Sequence, residues 1–186
     1  MKEPYVCPST YSGSLDNFFR RMIHKPEKIL SPYIKEGMAV LDMGCGPGYF
    51  TAALAGLVGG SGIVTAADLQ QGMLDKMLQK VNSLGLGKRV EAHKCLQEST
   101  RIVKKYDFIL TFWMVHEVPD QLSFLREMKS LLNPEGRIMI VEPKIHVTGR
   151  EFSGMLLRLE SAGLQVVARP EVVISRCVVA GRSNLL

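Results

Sequence analysis

The stretch Val40-Leu41-Asp42-Met43-Gly44-Cys45-Gly46-Pro47-Gly48-Tyr49-Phe50 decides the fold. Its apolar start is typical of a strand that is buried on both faces, and three glycines follow at alternate positions. From Tyr49 onwards the chain becomes rich in Ala and Leu, as in a helix. Open α/β sheets bind ligands at the carboxyl ends of their strands, so this strand, loop and helix predict a ligand site in an α/β fold.

The same alternation of apolar runs and helical patterns continues along the chain. Short β-rich runs lie at residues 39–43, 62–67, 89–93, 107–111 and 137–141. Helical patterns lie at residues 49–58, 73–84, 122–132 and 151–162. The third helical pattern is stopped by the turn residues 133–136. This β-α-β order predicts a parallel sheet.

The two ends of the chain depart from this order. Residues 164–168 and 171–180 predict two strands joined across Arg169-Pro170, a link too short for a crossover helix, so we expect them to pair antiparallel. Residues 15–34 predict one or two helices, interrupted near Pro26 and Pro32.

Length and composition indicate a folded, water-soluble chain. The 186 residues and 20.6 kDa suit about one domain, and 46% hydrophobic with 22% charged residues excludes general disorder. No run approaches the ~18 to 20 apolar residues of a membrane-spanning helix. The start, Met1-Lys2-Glu3-Pro4, lacks the pattern of a signal peptide, so we expect a cytoplasmic protein.

The distribution of charge and the spacing of the cysteines argue against several kinds of partner and site. The net charge is +5, but the basic residues form short pairs spread along the chain, which argues against nucleic acid as the partner. The four cysteines, Cys7, Cys45, Cys95 and Cys177, contain no C-x-x-C pair, so neither a zinc site nor a disulfide framework is predicted.

An acid two residues before the first glycine distinguishes this glycine loop from a dinucleotide-binding loop. A dinucleotide-binding fingerprint reads G-x-G-x-x-G, whereas here Asp42 precedes G-x-G-x-G at Gly44, Gly46 and Gly48. Glycine tolerates positive φ and close backbone approach, and a carboxylate suits an ammonium group. The loop therefore favours a cationic ligand.

At this loop the sequence resembles the class I S-adenosylmethionine-dependent methyltransferases, whose first motif is an acid followed by G-x-G-x-G. The resemblance implies that Asp42 helps to organise the methionine ammonium of the cofactor. It also implies that the three glycines, with Cys45 as a small filler, let the backbone approach the amino-acid part.

Asp68 follows the second predicted strand, at the separation of about 20 residues that one β-α-β unit requires. A carboxylate at this point can accept hydrogen bonds from both hydroxyls of a ribose. Capping of the next helix is an alternative role that is compatible with the first. The resemblance places Leu69 beside the adenine.

The segment after the third strand departs from the family pattern. The family usually has an acid there that receives the adenine amino group, whereas this chain has Cys95 and Leu96. The resemblance implies that the Leu96 backbone does this instead, with Gln97 or Glu98 as alternatives.

Two later segments resemble one branch of the family. Residues 106–118 and 136–143 are similar to the fourth and fifth strands of small-molecule methyltransferases of the quinone-biosynthesis branch. Thr111, in the first of these segments, joins the expected cofactor-binding residues. The resemblance covers residues 15 to 180.

His116 is the candidate catalytic residue, because a side chain that titrates near neutrality can take a proton from an acceptor hydroxyl or thiol. Local packing or hydrogen bonding is the alternative role. Glu117 and Glu142 are further candidates for the catalytic role or for orienting the acceptor. Phe112 and Trp113 either wall the acceptor pocket or belong to the core, which is the more usual place for Phe112.

The sequence lacks the motifs of several specific kinds of methyltransferase. No N-P-P-Y-like tetrad follows the fourth strand, as in enzymes that methylate the amino groups of nucleic acids, and no Pro-Cys nucleophile is present. No Asp-Asn pair follows the fourth strand to offer the oxygen ligands of a magnesium-dependent enzyme, so no metal is predicted.

We therefore expect an α/β, Rossmann-like, seven-stranded, mostly parallel sheet with an antiparallel C-terminal hairpin and helices on both faces. Residues 1–186 are expected to form a single methyltransferase domain. Its expected parts are a loose N-terminus at 1–13, N-terminal helices at 14–36 and a cofactor-binding α/β core at 37–186.

The resemblance implies methyl transfer from S-adenosylmethionine to a small-molecule acceptor, with S-adenosylhomocysteine as the other product. A nicotinamide-dependent reductase, a non-catalytic cofactor-binding or partner-docking protein, and an RNA or protein methyltransferase are the alternatives. A homodimer, in which a partner subunit completes the acceptor site, is left open.

Overall fold

The computed structural model of the protein describes residues 24–183. The predictions for residues 1–13 and 14–23 lie outside the described residues. The helices are α1 (Pro26–Leu30), α2 (Tyr49–Leu57), α3 (Gln71–Ser83), α4 (Gln121–Leu131) and α5 (Gly149–Ser161). The strands are β1 (Ala39–Met43), β2 (Ile63–Asp68), β3 (Val90–Lys94), β4 (Tyr106–Phe112), β5 (Leu132–Pro143), β6 (Leu164–Ala168) and β7 (Ser175–Arg182). None of the helices in residues 24–183 is long and apolar enough to cross a membrane.

The described chain forms two compact units, residues 24–101 and 102–183. In the first unit the strands lie in the order β3-β2-β1, and both pairs are parallel. In the second unit the order is β4-β5-β7-β6; β4 and β5 are parallel, and β7 runs antiparallel to both β5 and β6. The prediction of a seven-stranded, mostly parallel sheet with an antiparallel C-terminal hairpin is confirmed. A single domain over the whole chain stays a prediction.

In the first unit, β1 and β2 are buried along almost their whole length, which explains their continuous apolar sequences. Their register pairs Met43 with Ala67, so the two strands end at the same level. The turn after β1 is attached to β2, because the N–H groups of Gly44 and Cys45 both donate to the Ala67 carbonyl, at 2.8 and 3.0 Å. The glycine loop is thereby held beside Asp68.

In the second unit, capped helices follow β4 and β5. Asp120 caps α4, where its side chain accepts a hydrogen bond from the N–H of Ser123. Thr148 and Glu151 form a reciprocal capping box at the start of α5. These caps fix where the loops at the carboxyl ends of β4 and β5 stop.

The predicted turn at residues 133–136 ends α4 but lies inside β5 as a bulge. Its four residues face the single residue Asp107 of β4. The side-chain amide of Asn133 donates to Oδ1 of Asp107 at 2.6 Å, which ties the bulge to the sheet. Turn residues suit a bulge as well as a loop, so the strand is longer than the predicted 137–141.

The predicted start of the last strand at residue 171 is wrong, since β7 begins at Ser175. Ile174 has a φ of 53°, a left-handed conformation that does not continue a strand. The N–H of Ser175 donates to the carbonyl of Val172 at 3.0 Å, which closes a turn. Residues 172–174 are all apolar and β-branched, so local sequence alone favoured a strand there.

Candidate functional site

The glycine loop has the backbone conformation that its sequence predicts. Gly44, Gly46 and Gly48 have φ values of 76°, 52° and 80°, a region that side chains disfavour. Gly48 precedes α2 and lies against α3, where an added Cβ would be 2.6 Å from Cγ of Met77. At Gly46 an added Cβ would meet no atom within 4 Å. Gly48 is therefore needed for packing, whereas the space beside Gly46 is open to a ligand.

Asp68 ends β2, and its carboxylate is bound to the glycine loop. The N–H of Gly46 donates to Oδ2 and the N–H of Gln70 donates to Oδ1, both at 2.9 Å. Burial raises the pKa of Asp68 above its usual range, although these two hydrogen bonds act in the opposite direction. A carboxylate has about four lone-pair positions, so each oxygen keeps one for a ligand hydroxyl.

Asp42 lies in β1 and is only 2% exposed. The hydroxyl of Thr51, in α2, donates to its Oδ2 at 2.6 Å. Burial raises the pKa of Asp42 to about 7; the Thr51 hydrogen bond lowers it, and the nearby charge of Asp68 raises it further. A buried carboxylate with one hydrogen bond is suited to an ammonium group, which would favour its charged form.

The two cysteines among the predicted cofactor residues are buried. Burial and the charges of Asp42 and Asp68 raise the pKa of the Cys45 thiol, so it stays protonated as a small filler. The N–H of Cys95 donates to the Asp68 carbonyl at 2.9 Å, which continues the attachment of β3 to β2 beyond the strands. Neither thiol has the environment of a nucleophile.

Leu69 and Leu96 present apolar side chains next to these polar groups. They follow β2 and β3, and they are 41% and 43% exposed, unlike the leucines of the core. An exposed pair at neighbouring strand ends suits the two faces of a flat apolar group such as adenine. The residues of the first unit therefore fit S-adenosylmethionine: Asp42 suits the ammonium, Gly46 leaves backbone space, Asp68 suits the ribose, and Leu69 and Leu96 suit the adenine.

In the second unit, a buried carboxylate organises the turn that carries His116. Glu142, at the end of β5, is 2% exposed. It accepts hydrogen bonds from the N–H of Val115 at 3.0 Å, the N–H of His116 at 3.2 Å and Nδ1 of His116 at 2.5 Å. Because an ionised carboxylate only accepts, Nδ1 carries a proton and Nε2 is the basic nitrogen of the neutral ring.

The environment of His116 raises its basicity. Burial alone would lower the pKa of His116, but the hydrogen bond and charge of Glu142, with the charges of Glu117 and Glu151, raise it above its usual value. The His146 ring stacks on the His116 ring, with centroids 5.9 Å apart and planes 4° from parallel. Both histidines line a cavity of ≈ 600 Å³ that is bordered by the start of α4, the end of β5 and α5.

The remaining predicted residues of the second unit lie in or beside β4. Thr111 is fully buried, and its hydroxyl donates to the Met139 carbonyl at 3.4 Å; its cofactor-binding role stays a prediction. Phe112 is buried, and Trp113 has a φ of 60° with its indole N–H donating to Oγ of Ser175 at 3.0 Å. Neither aromatic residue lines the ≈ 600 Å³ cavity.

Sequence reasoning missed Thr51 and three cavity residues. Thr51 lies nine positions after Asp42 in a helix, so no local pattern links them. His146, Arg150 and Arg158 line the cavity from the loop after β5 and from α5. The one sequence signal that could have indicated the two arginines is the glycine midway between them, in the middle of a helix. Residues 24–183 contain no group of three or more His, Cys, Asp or Glu that could hold a metal ion.

Comparisons with known proteins agree with this fold and loop. The Methyltransferase domain family matches residues 34–165. A demethylmenaquinone methyltransferase of Bacillus cereus is 32% identical over 131 residues, which are 70% of this chain and 55% of that protein. The crystal structure of an S-adenosylmethionine-dependent methyltransferase from Aquifex aeolicus is 33% identical, with a TM-score of 0.82 over 94% of this chain and 98% of that one.

A more distant structure shows the fold alone. It is an S-adenosylmethionine-dependent O-methyltransferase from Thermotoga maritima, 21% identical, with a TM-score of 0.68 over 92% of this chain and 72% of that one. Fold and loop together are those of the class I S-adenosylmethionine-dependent methyltransferases. The chain belongs to the Methyltransferase domain family.

The resemblance seen in the sequence, including its quinone-biosynthesis branch, is confirmed by these relatives. The chain spans about half the length, 55%, of the curated relatives that it matches.

Proposed function

We propose that this protein transfers the methyl group of S-adenosylmethionine to a small-molecule acceptor. The observation that carries the proposal is the buried Glu142, which holds His116 by two hydrogen bonds and the preceding Val115 by a third, at the wall of a ≈ 600 Å³ cavity. That volume suits a small molecule. The name of the Bacillus cereus relative, demethylmenaquinone methyltransferase, also supports a small acceptor.

The residues of the first unit hold the donor. Asp42 binds its ammonium, the backbone at Gly46 approaches its amino-acid part, and Asp68 accepts from its ribose. Leu69 and Leu96 pack on its adenine. When bound, S-adenosylmethionine supplies a methyl group that its sulfonium already activates, and S-adenosylhomocysteine is the product.

The residues of the second unit accept the proton that the acceptor loses. Nε2 of His116 would take the proton of the acceptor O–H or S–H, which leaves an electron pair on the acceptor for its bond to the methyl group. Glu142 stabilises the resulting imidazolium through Nδ1, and it keeps the ring in one tautomer. His116 later releases the proton to solvent. His116 is thus the proposed catalytic base, and Glu142 is its positioning residue.

Two measurements test the proposal. Calorimetric titration with S-adenosylhomocysteine should give micromolar binding, and NADH should give none. Formation of S-adenosylhomocysteine from S-adenosylmethionine should then depend on an added acceptor, with a reduced demethylated naphthoquinone as the first probe, and should fall about 100-fold in His116→Gln. A folded protein that binds no S-adenosylhomocysteine contradicts the proposal. Binding without turnover on any acceptor favours the non-catalytic protein.

The cytoplasmic location and a homodimer stay predictions. Methylation of RNA or protein is the alternative that steep salt dependence of RNA binding would favour.

A further inference from the structure

We infer that the cavity beside His116 binds its acceptor as an anion, through the guanidinium groups of Arg150 and Arg158. This inference rests on the proposed function in one respect, since it takes the cavity as the acceptor site. It names a chemical class: a small molecule with an apolar body and one anionic group.

The two arginines are cations that pair with none of the residues 24–183. Both line the cavity from α5. Across the described part of the chain, neither guanidinium has a hydrogen bond or an ion pair to another residue. A guanidinium offers five donors in a plane that matches carboxylate and phosphate oxygens. Two such groups at one cavity are suited to an anionic ligand.

The carboxylates of the same cavity, in contrast, are all engaged. Glu142 is bound to His116 and to two backbone N–H groups. Asp120 accepts from the N–H and the hydroxyl of Ser123 at the start of α4. Glu151 accepts from the N–H and the hydroxyl of Thr148 at the start of α5. Each carboxylate thus has donors of its own, and the last two also lie at helix N-termini, which favour negative charge.

Gly154 in α5 leaves room for the guanidinium of Arg158. Gly154 lies four residues from each arginine, so the three share one face of α5. A Cβ at Gly154 would be 3.3 Å from Nη1 of Arg158, closer than ordinary van der Waals contact. Glycine is disfavoured in a helix interior, and here its absent side chain is the space that the guanidinium borders.

Part of the remaining wall is apolar. Val118 and Leu122 face the cavity from the segment before and within α4, and Phe152 and Met155 face it from α5. This apolar part of the wall, together with the two cations, suits a hydrophobic ring or chain that ends in a carboxylate, a phosphate or an ionised hydroxyl.

A matched pair of probes tests this inference. We would titrate the protein with 2-naphthoate and with 2-naphthamide, which differ in charge but not in ring size, and follow the ring signals of His116 and His146 by NMR. We expect 2-naphthoate to bind about tenfold more tightly and to shift both histidine signals. Arg150→Gln and Arg158→Gln should each weaken 2-naphthoate about fivefold and leave 2-naphthamide unchanged.

Arg169→Gln is the control, because Arg169 is exposed in the same unit but does not line the cavity. Equal affinity for the two probes, binding of neither, unmoved histidine signals, or an equal loss in Arg169→Gln would each overturn the inference. Titration of the native protein with S-adenosylhomocysteine separates the two proposals. A native protein that binds 2-naphthoate but no S-adenosylhomocysteine contradicts the methyltransferase function alone, and one that binds S-adenosylhomocysteine but not 2-naphthoate contradicts the anion site alone.

Discussion

The backbone N–H of Gly46 donates to Oδ2 of Asp68 at 2.9 Å, across 22 positions of sequence. The other oxygen of the same carboxylate accepts from Gln70. Asp68 therefore holds the glycine loop in place as well as offering lone pairs to a ribose. A single substitution at Asp68 affects both roles, so they have to be separated by the choice of variant.

We predict different outcomes for Asp68→Asn and Asp68→Ala. The asparagine keeps one side-chain oxygen for a backbone N–H but loses the charge, so it should bind S-adenosylhomocysteine at least about tenfold more weakly and fold normally. The alanine leaves two N–H groups without their acceptor, so it should also lose about 1 to 3 kcal/mol of unfolding free energy. Calorimetric titration and urea unfolding measure the two effects. Unchanged donor affinity in Asp68→Asn would contradict the ribose role.

Two glycines of the loop should differ in what an added methyl group does. Gly48→Ala places Cβ 2.6 Å from Cγ of Met77, so it should destabilise the fold by more than the ~1 to 2 kcal/mol of the left-handed conformation alone. Gly46→Ala meets no protein atom within 4 Å, so it should fold at only that conformational cost and lose donor binding. Urea unfolding and donor titration check both variants.

The control for this pair is Gly72→Ala in α3. Its Cβ would meet nothing within 4 Å and its φ is not positive. Alanine is about 1 kcal/mol better than glycine in a helix, so this variant should be slightly more stable and should bind the donor as before. If Gly46→Ala bound the donor equally well, the space beside Gly46 would not belong to the cofactor site.

The sequence predicted that the glycine loop and Asp68 lie together, but it did not predict the cavity, and the difference has a physical reason. Asp42 and the glycines belong to one local strand-loop-helix unit, and Asp68 ends the next strand, so the β-α-β connection alone places them together. His146 reaches the cavity from the loop after β5 and Arg158 through the packing of α5, and no spacing pattern in the chain links them to His116.

The two errors in the predicted strand boundaries have a related cause. The turn residues 133–136 are accommodated as a bulge because Asn133 finds a partner in Asp107. Residues 172–174 have strand-like side chains, yet Ile174 adopts a left-handed φ. In both places long-range contacts and backbone geometry override a local preference.

We predict that Glu142→Gln shifts the pH dependence of methyl transfer. Proton abstraction needs neutral His116, and Glu142 raises the pKa of that histidine, so kcat/KM should rise with pH through a pKa above 6.5 in the native protein. The glutamine removes the negative charge, so the rise should move to lower pH while the plateau falls because the ring is held less well. Glu117→Gln, which removes a lesser cause of the shift, should move the profile less. An unmoved profile in Glu142→Gln would contradict the positioning role.

The same histidine should contribute to stability in a defined pH range. Its folded pKa is raised above the unfolded value of 6.5, so the folded state holds the proton more tightly. That stabilisation is fully present below about pH 6.5 and is lost as the pH rises through the folded pKa. The Tm of the native protein should therefore exceed that of His116→Gln by more at pH 5.5 than at pH 9. An equal difference at the two pH values would contradict the raised pKa.

Asp42 should likewise make the protein less stable as the pH rises, because it is an acid whose pKa rises on folding from 3.8 to about 7. Below pH 3.8 both states are protonated, and between these values only the folded state keeps the proton, so stability should fall as the pH rises towards 7 and level off above it. Asp42→Asn, which can still accept from Thr51, should remove this fall and be more stable than the native protein at pH 8. Thermal unfolding of both proteins from pH 4 to 8 measures it, with the exposed Asp75→Asn as a control that keeps Asp42 and should show the same fall as the native protein. An ammonium bound at Asp42 would favour the carboxylate, so S-adenosylhomocysteine should raise the native Tm more at pH 8 than at pH 5, and Asp42→Asn should lose that difference.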